Sequence, residues 1–164
     1  MYSSVMSRAE NLYQENKMAT ATAPLDTVQT ASQPSPAPRP VRRPNNAVWF
    51  EIPVRNLDRA MWFYEAAFGF PLKVDARFPG LAIFPRANND SVTGAIIESD
   101  LVSPSTHGTI VYLNCDGDLD GVVKRALANG AKLITEVAQL PGGMGFIAEI
   151  CDPDGNRVGL HAAF

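Results

Sequence analysis

The chain has 164 residues, of which 46% are hydrophobic and 19% are charged, and its formal net charge is −3. Five basic and three acidic side chains give residues 1–46 a charge of +2, whereas nine basic and fourteen acidic side chains give the rest −5. An acidic folded part without a cluster of Lys and Arg argues against nucleic-acid binding. No apolar run approaches the roughly 18 residues that would cross a bilayer, so no membrane partner is expected.

Residues 1–46 are predicted to form a disordered tail. Six prolines stand there among Ala, Ser, Thr and Gln, which leaves too little apolar surface to offset the entropy of ordering: Pro24, Pro34, Pro36, Pro38, Pro40 and Pro44. Residues 47–164 have the usual size of one domain. Two cysteines, Cys115 and Cys151, are too few for a disulfide framework, and no secretory signal is apparent, so we expect a cytoplasmic protein.

The first predicted strand covers 48–54, where apolar and other residues alternate with a period of two. Asn56 is a suitable N-cap for the helix that follows, and Gly69 is a suitable stop. Three further strands are predicted at 71–75, 81–85 and 93–98, with turns at Pro79-Gly80 and around Asn88.

The same order then repeats. A strand is predicted at 109–115, followed by a helix that Asp118 would cap and Gly130 would end, and by strands at 132–137, 145–151 and 157–162. An internal repeat is a strong indicator of architecture. The sequence therefore predicts an α+β fold of two βαβββ half-modules, at about 47–100 and 108–164.

The repeat carries short motifs: Trp49 to Val54, Phe63-Tyr64 and Phe68-Gly69 in the first half, and Gly108 to Asn114 and Asp152 to His161 in the second. Together they resemble the vicinal oxygen chelate superfamily, which includes glyoxalases, bleomycin-resistance proteins and extradiol dioxygenases. The resemblance covers about 47–164, and its most specific part is the strand–turn–strand segment around Asp152. It implies a U-shaped mixed sheet around a central cavity, and a homodimer.

The resemblance also implies a metal site in many members, with His or Glu ligands from the first and last strands of each half. In this sequence the corresponding positions are Trp49, Ile110 (or Val111 if the extra Gly117 is ignored) and Gly159. None of these side chains can bind a metal. No cofactor is therefore predicted, although a divalent metal at a displaced site stays an alternative.

Strand alternation predicts which side chains line the cavity. If Phe50, Ile52 and Val54 pack beneath the helices, the neighbouring side chains face the concave side. The residues on the predicted concave face are Trp49, Glu51, Pro53, Ile110, Tyr112, Asn114, Ile147, Glu149, Gly159 and His161. Trp49, Tyr112 and Asn114 are the candidate ligand-binding residues, since aromatic rings suit stacking on a flat ligand.

Glu51, Glu149 and His161 are the candidate catalytic residues. A carboxylate beside an imidazole could act as an acid–base pair, or could join Glu51 in a displaced metal site. The alternatives are a Glu51 at a wet cavity mouth and a purely structural hydrogen bond between His161 and Glu149.

Two function classes follow. One is a bleomycin-resistance-like protein that binds a small organic ligand without the usual four-ligand metal site, with or without metal-free acid–base chemistry. The other is a lyase or isomerase of glyoxalase type (lactoylglutathione lyase-like), metal-dependent through the displaced ligands Glu51, Glu149 and His161. A degenerate interaction domain, its pocket collapsed around Trp49, is a third.

Overall fold

A computed structural model of the chain describes residues 45–164, and the predicted tail lies almost entirely outside them. The elements follow in the order β1 (Trp49–Val54), α1 (Leu57–Phe68), β2 (Lys73–Asp75), β3 (Phe78–Ile83), β4 (Thr93–Glu98), β5 (Val111–Asn114), α2 (Leu119–Ala128), β6 (Lys132–Gln139), β7 (Phe146–Cys151) and β8 (Arg157–Ala162). The first module is β1 to β4 with α1, and the second is β5 to β8 with α2. The predicted βαβββ repeat is confirmed.

Each module contains its own mixed four-stranded sheet. The strand orders are β1-β4-β3-β2 and β5-β8-β7-β6, and the first strand of each module runs parallel to the last. The two sheets are not closed into one, because within residues 45–164 β1 pairs only with β4 and β5 only with β8. The predicted U-shaped sheet is therefore two separate sheets, with one free edge on each of β1 and β5. No helix in the described range 45–164 is long and apolar enough to cross a membrane.

The helices pack on the convex faces of the sheets and against each other. The core between them includes Ile52, Val54, Phe63, Ile96 and Leu160, all at most 4% exposed. Burial of such side chains stabilises a fold by roughly 1.5–3 kcal/mol each. As predicted from alternation, Cys115 also faces this core, and burial raises the pKa of its thiol to about 12.

The ends of α1 are as predicted, and α2 also begins directly after Asp118, but without the expected capping hydrogen bond. Asn56 accepts a hydrogen bond from the Arg59 amide at 2.9 Å, and Gly69 ends α1 in the left-handed conformation. Asp118 makes no capping hydrogen bond, because its backbone is not extended and its carboxylate instead accepts from Arg125 Nη2 at 2.8 Å. Asp118 therefore occupies the predicted N-cap position, but the prediction that its side chain caps the helix was wrong.

The turn predicted at Pro79-Gly80 was also wrong, since both residues lie within β3. A proline is tolerated there because β3 pairs with β4 only from Leu81 to Ile83, so no hydrogen bond to β4 is lost at Pro79.

The two modules are joined by the turn between β7 and β8, residues 152–156. Asp152, Asp154 and Asn156 are at most 5% exposed. Asp152 Oδ1 accepts from three amides of its own turn, and Oδ2 accepts from the Tyr64 hydroxyl of α1 at 2.8 Å. Burial and this carboxylate raise the pKa of Tyr64 well above its usual value.

The other two polar residues of this turn also contact the first module. Asp154 accepts from the Arg55 amide at 3.2 Å and forms a short ion pair with Arg59. Asn156 Nδ2 donates to the Pro53 carbonyl at 2.8 Å. Buried polar groups are stabilising only when they are satisfied in this way, so the turn acts as a polar clamp between modules.

Replacing Asp152 by Asn should destabilise the chain by about 2–4 kcal/mol, because an amide NH2 would then face groups that are themselves donors. Urea unfolding would measure the free energy. Tyr64→Phe, which removes one hydroxyl, should cost less, and Asp100→Asn, at an exposed loop position, serves as the control. Equal stability of Asp152→Asn and Asp100→Asn would show that the clamp does not stabilise the fold.

Candidate functional site on the concave faces

The concave face of the first sheet follows the predicted alternation. Trp49 and Glu51 on β1 are exposed, whereas Ile52 and Val54 are buried in the core. The Trp49 indole Nε1 donates to Glu51 Oε1 at 3.1 Å. Glu51 is therefore an exposed carboxylate with an aromatic neighbour, and it is not buried.

The concave face of the second sheet carries a row of side chains across all four of its strands. Strand register places Tyr112 beside Gly159, Gly159 beside Glu149, and Glu149 beside Thr135. The Tyr112 hydroxyl donates to Glu149 Oε1 at 2.8 Å, and the Thr135 hydroxyl donates to Oε2 at 2.7 Å. Arg157 Nη2 forms an ion pair with Oε2 at 2.6 Å. Both oxygens of Glu149 are thus engaged.

These contacts keep Glu149 ionised. The hydrogen bond from Thr135, followed by those from Arg157 and Tyr112, lowers the pKa of Glu149 although burial opposes the shift. The same contact to Glu149 raises the pKa of Tyr112. An acid–base residue poised near neutrality needs a raised carboxyl pKa, so the shift at Glu149 runs against that role.

Gly159 lets the Tyr112 ring lie directly on the sheet. A Cβ atom at position 159 would lie 2.3 Å from Cδ1 of Tyr112, far inside contact distance. Position 159 is the one at which the family resemblance implies a metal ligand in the last strand. The space that such a ligand would occupy is filled by the Tyr112 ring.

His161 does not pair with Glu149 as expected. Register places it beside Ile147, two pairs further along the hairpin than Glu149, and its Nε2 lies 2.7 Å from the Met144 carbonyl oxygen. In the described part of the chain, no hydrogen bond joins His161 to Glu149. The expected structural bond between them is therefore wrong, and the cause is the register of β7 and β8.

Two cavities meet at Glu51. The seam cavity, of about 180 Å³, lies between β1 and the β5–β8 pair and is lined by Glu51, Ile52, Pro53, Ser103, Ser105, His107, Thr109, Val111, Asn156, Arg157 and Val158. The first-module hollow, of about 540 Å³, is lined by Glu51, Arg77, Phe78, Pro79, Gly80, Leu81, Ile97, Glu98 and Ser99. Glu51 borders both cavities, whereas Tyr112, Glu149 and His161 line neither of them.

Sequence reasoning missed Arg157 and Thr135. Arg157 is on the same strand as Gly159 and His161, two positions before Gly159, so alternation could have placed it on the concave face. Thr135 gave no comparable signal, because its role depends on the pairing of β6 with β7.

Two further polar side chains have structural partners. Glu98 Oε2 accepts from the Leu57 amide at 2.7 Å and so stabilises the start of α1. Asn114, a candidate ligand-binding residue, accepts from the Asp116 amide at 2.7 Å within its own loop. The carbonyl group of Asn114 is therefore engaged locally.

The side chains present do not fit the metal site that the fold family implies. Trp49, Ile110 and Gly159 offer no ligand atoms, and the carboxylate of Glu149 is held by an arginine and two hydroxyls. Within the described range, no group of three or more His, Cys, Asp or Glu side chains is arranged to hold a metal. Glu51, Glu149 and His161 do not form a common ligand set.

The architecture defines a protein built from paired βαβββ modules with open concave faces. Residues 46–160 match the family model of the Glyoxalase/Bleomycin resistance protein/Dioxygenase superfamily. The chain belongs to this superfamily, as its sequence motifs indicated.

Solved structures share the fold at low sequence identity. A glyoxalase/bleomycin resistance protein/dioxygenase family enzyme from Burkholderia phytofirmans is 18% identical, with a TM-score of 0.57, covering 71% of this chain and 98% of that one. A glyoxalase/bleomycin resistance protein from Albidiferax ferrireducens is 21% identical, with a TM-score of 0.56 and coverage of 70% and 96%. Glyoxalase I from Zea mays is 22% identical, with a TM-score of 0.51, and the match covers 71% of this chain but 45% of that one. No curated protein matches the chain.

The pH dependence of stability should reveal the ionised Glu149. Its folded pKa is lowered, so its contribution is complete above the ordinary glutamate pKa of about 4.3 and is lost as the pH falls through the lower folded value. The difference in unfolding free energy between wild type and Glu149→Gln should therefore be largest at pH 7 and shrink in acid. Urea titrations at several pH values would test this, with Glu136→Gln as the exposed control. A difference that grows in acid would contradict the network.

Gly159 and Tyr112 should be energetically coupled. Gly159→Ala should displace the ring and break its bond to Glu149, whereas the same change in a Tyr112→Ala background should cost much less. We expect a coupling free energy of about 1 kcal/mol or more in a double-mutant cycle measured by urea unfolding. Additive effects would mean that the ring does not depend on the glycine.

Proposed function

We propose that this chain binds a small organic molecule on its concave faces, using aromatic and polar side chains in place of a metal ion. The observation that carries the proposal is the Tyr112 ring, which covers Gly159 and is held by Glu149. A ring whose hydroxyl is fixed presents a pre-oriented apolar surface, and such surfaces suit flat ligands. A protein that only binds a flat ligand needs an apolar surface of this kind and does not need a metal.

The aromatic residues of the two sheets support the same proposal. Trp49 is 41% exposed and Tyr112 is 44% exposed, so both rings keep a free surface although each is tied to a carboxylate. Large exposed aromatic groups on a concave surface are typical of ligand sites.

Metal-free acid–base chemistry is a second candidate, and Glu51 is the residue that favours it. Glu51 borders both cavities and accepts only the hydrogen bond from Trp49 among the described residues. Its second oxygen is free to accept a proton from a ligand carbon next to a carbonyl group and to deliver it to a different atom of the resulting enolate, which is an isomerisation. Glu149, whose oxygens are engaged, would serve to position Tyr112.

Fluorescence titration would test the binding proposal. The chain has two tryptophans, and Trp62 is exposed on α1, so a Trp62→Phe background leaves Trp49 as the single indole reporter. The neutral planar probe 1-naphthol should quench Trp49 in a saturable manner. Tyr112→Ala should weaken binding by about two- to tenfold, the range expected for one aromatic contact, whereas Tyr112→Phe should weaken it less.

The metal content of the purified chain and of its variants is the measurement that would contradict the proposal. Stoichiometric metal in the purified chain, lost in both Glu51→Gln and His161→Ala, would contradict the proposal and favour the metal-dependent lyase or isomerase. Naphthol binding that is not saturable, or that is unchanged in Tyr112→Ala, would contradict the aromatic site directly.

A further inference from the structure

The seam cavity contains two opposite charges that do not neutralise each other. Glu51 from β1 and Arg157 from β8 both line it, yet they do not form an ion pair within 4.0 Å in the described structure. The cavity thus separates a carboxylate from a guanidinium on neighbouring modules. A molecule that fits between them can bind both.

Arg157 has hydrogen-bonding capacity to spare. A guanidinium offers five N–H donors in a rigid fork, and the described structure uses one, from Nη2 to Glu149. Its Nε is buried and has no hydrogen-bond partner in the described structure. The Arg157 side chain as a whole is 37% exposed, so its remaining N–H groups can donate to an acceptor supplied by a ligand.

Glu51 has the complementary capacity. Oε1 accepts from the Trp49 indole, while Oε2 has no partner in the described part of the chain. An ionised carboxylate accepts strong hydrogen bonds from an ammonium group. Ser103 and Thr109 also line the cavity.

We propose that the seam cavity binds the head group of a small zwitterion, with its carboxylate on Arg157 and its ammonium on Glu51. The α-amino acids are the simplest class with this chemistry. A plain carboxylate would be repelled by Glu51, and a plain amine would leave the remaining donors of Arg157 unused, whereas a molecule with both charges pairs with each wall. Glu149 holds Arg157 in place from the opposite side through its ion pair at 2.6 Å.

The hollow beside the seam indicates what the rest of the ligand should be. Glu51 lines both cavities, so a ligand whose head lies at Glu51 can extend into the first-module hollow. Phe78, Leu81 and Ile97 give that hollow apolar walls. The inference rests on the proposed function, since it assumes that the chain binds a small organic molecule beside Glu51, and it narrows the class to α-amino acids with an apolar side chain.

Titration of the full chain with four simple probes, followed by isothermal calorimetry and by amide shifts in NMR spectra, would test the head-group site. Glycine has both charges and no apolar part, acetate and methylammonium have one charge each, and L-leucine adds an apolar side chain. Glycine should bind saturably, and acetate and methylammonium about tenfold or more weakly, because each lacks one charge-assisted hydrogen bond. L-Leucine should bind more tightly than glycine.

Substitutions at Glu51 and Arg157 test the two contacts with glycine separately. Glu51→Gln should reduce glycine binding to about the level of acetate, and Arg157→Lys should weaken it about tenfold because the fork is lost while the charge stays. The matched controls Glu136→Gln and Arg86→Lys change exposed side chains outside the cavity and should bind glycine as the wild type does. Glu51 is exposed, so its variant is expected to fold, and circular dichroism would verify both.

The outcomes separate this inference from the proposed function. No saturable glycine binding, or equal glycine binding in wild type, Glu51→Gln and Arg157→Lys, would overturn the zwitterion site, whatever 1-naphthol does. Glycine binding that depends on both residues would support the site even if the aromatic surface failed to bind 1-naphthol. Acetate binding as strongly as glycine would also overturn it, because the ammonium contact would then contribute nothing.

Discussion

The buried turn between β7 and β8 is the constraint on which the rest of this molecule depends. Asp152 and Asp154 bring two carboxylates into a nearly dry environment, and each is satisfied by donors that come in part from the other module. The two sheets do not pair with each other, so this turn and the contact between the helices hold them together. The seam cavity exists because the modules are joined here while the edges of β1 and β5 stay free.

The concave faces of the two modules differ in how firmly their side chains are held. In the second module a tyrosine, a threonine and an arginine converge on Glu149, so its side chains are held in one arrangement. In the first module Glu51 has one partner and borders open space. The side chains around Glu149 are held in place, whereas the Glu51 carboxylate has room to adjust. This combination suits a rigid ligand that carries a charge.

Strand alternation and helix-capping residues predicted most of the fold. The candidate site depends on contacts between distant strands, which these local sequence patterns do not show. Alternation in β1 placed Glu51 correctly, and Asn56 and Gly69 marked the ends of α1, because strand period and helix capping are properties of neighbouring residues. The Asp118 side chain does not cap α2 in the described structure, and it pairs instead with Arg125, seven residues further along the chain. The partners of Glu149 come from three other strands, so only the register of the sheet, invisible in the sequence, could show that it is paired with Arg157 instead of His161.

The close packing of Tyr112 on Gly159 also limits which substitutions positions 112 and 159 can accept. Any side chain introduced at position 159 collides with the ring, and removal of the ring alone leaves the Glu149 carboxylate without one of its donors. A single substitution that places a ligand side chain at position 159 therefore meets the ring, and a metal-binding last strand would require changes at both positions. The two positions are tied together, so a change at either one lowers the cost of a change at the other.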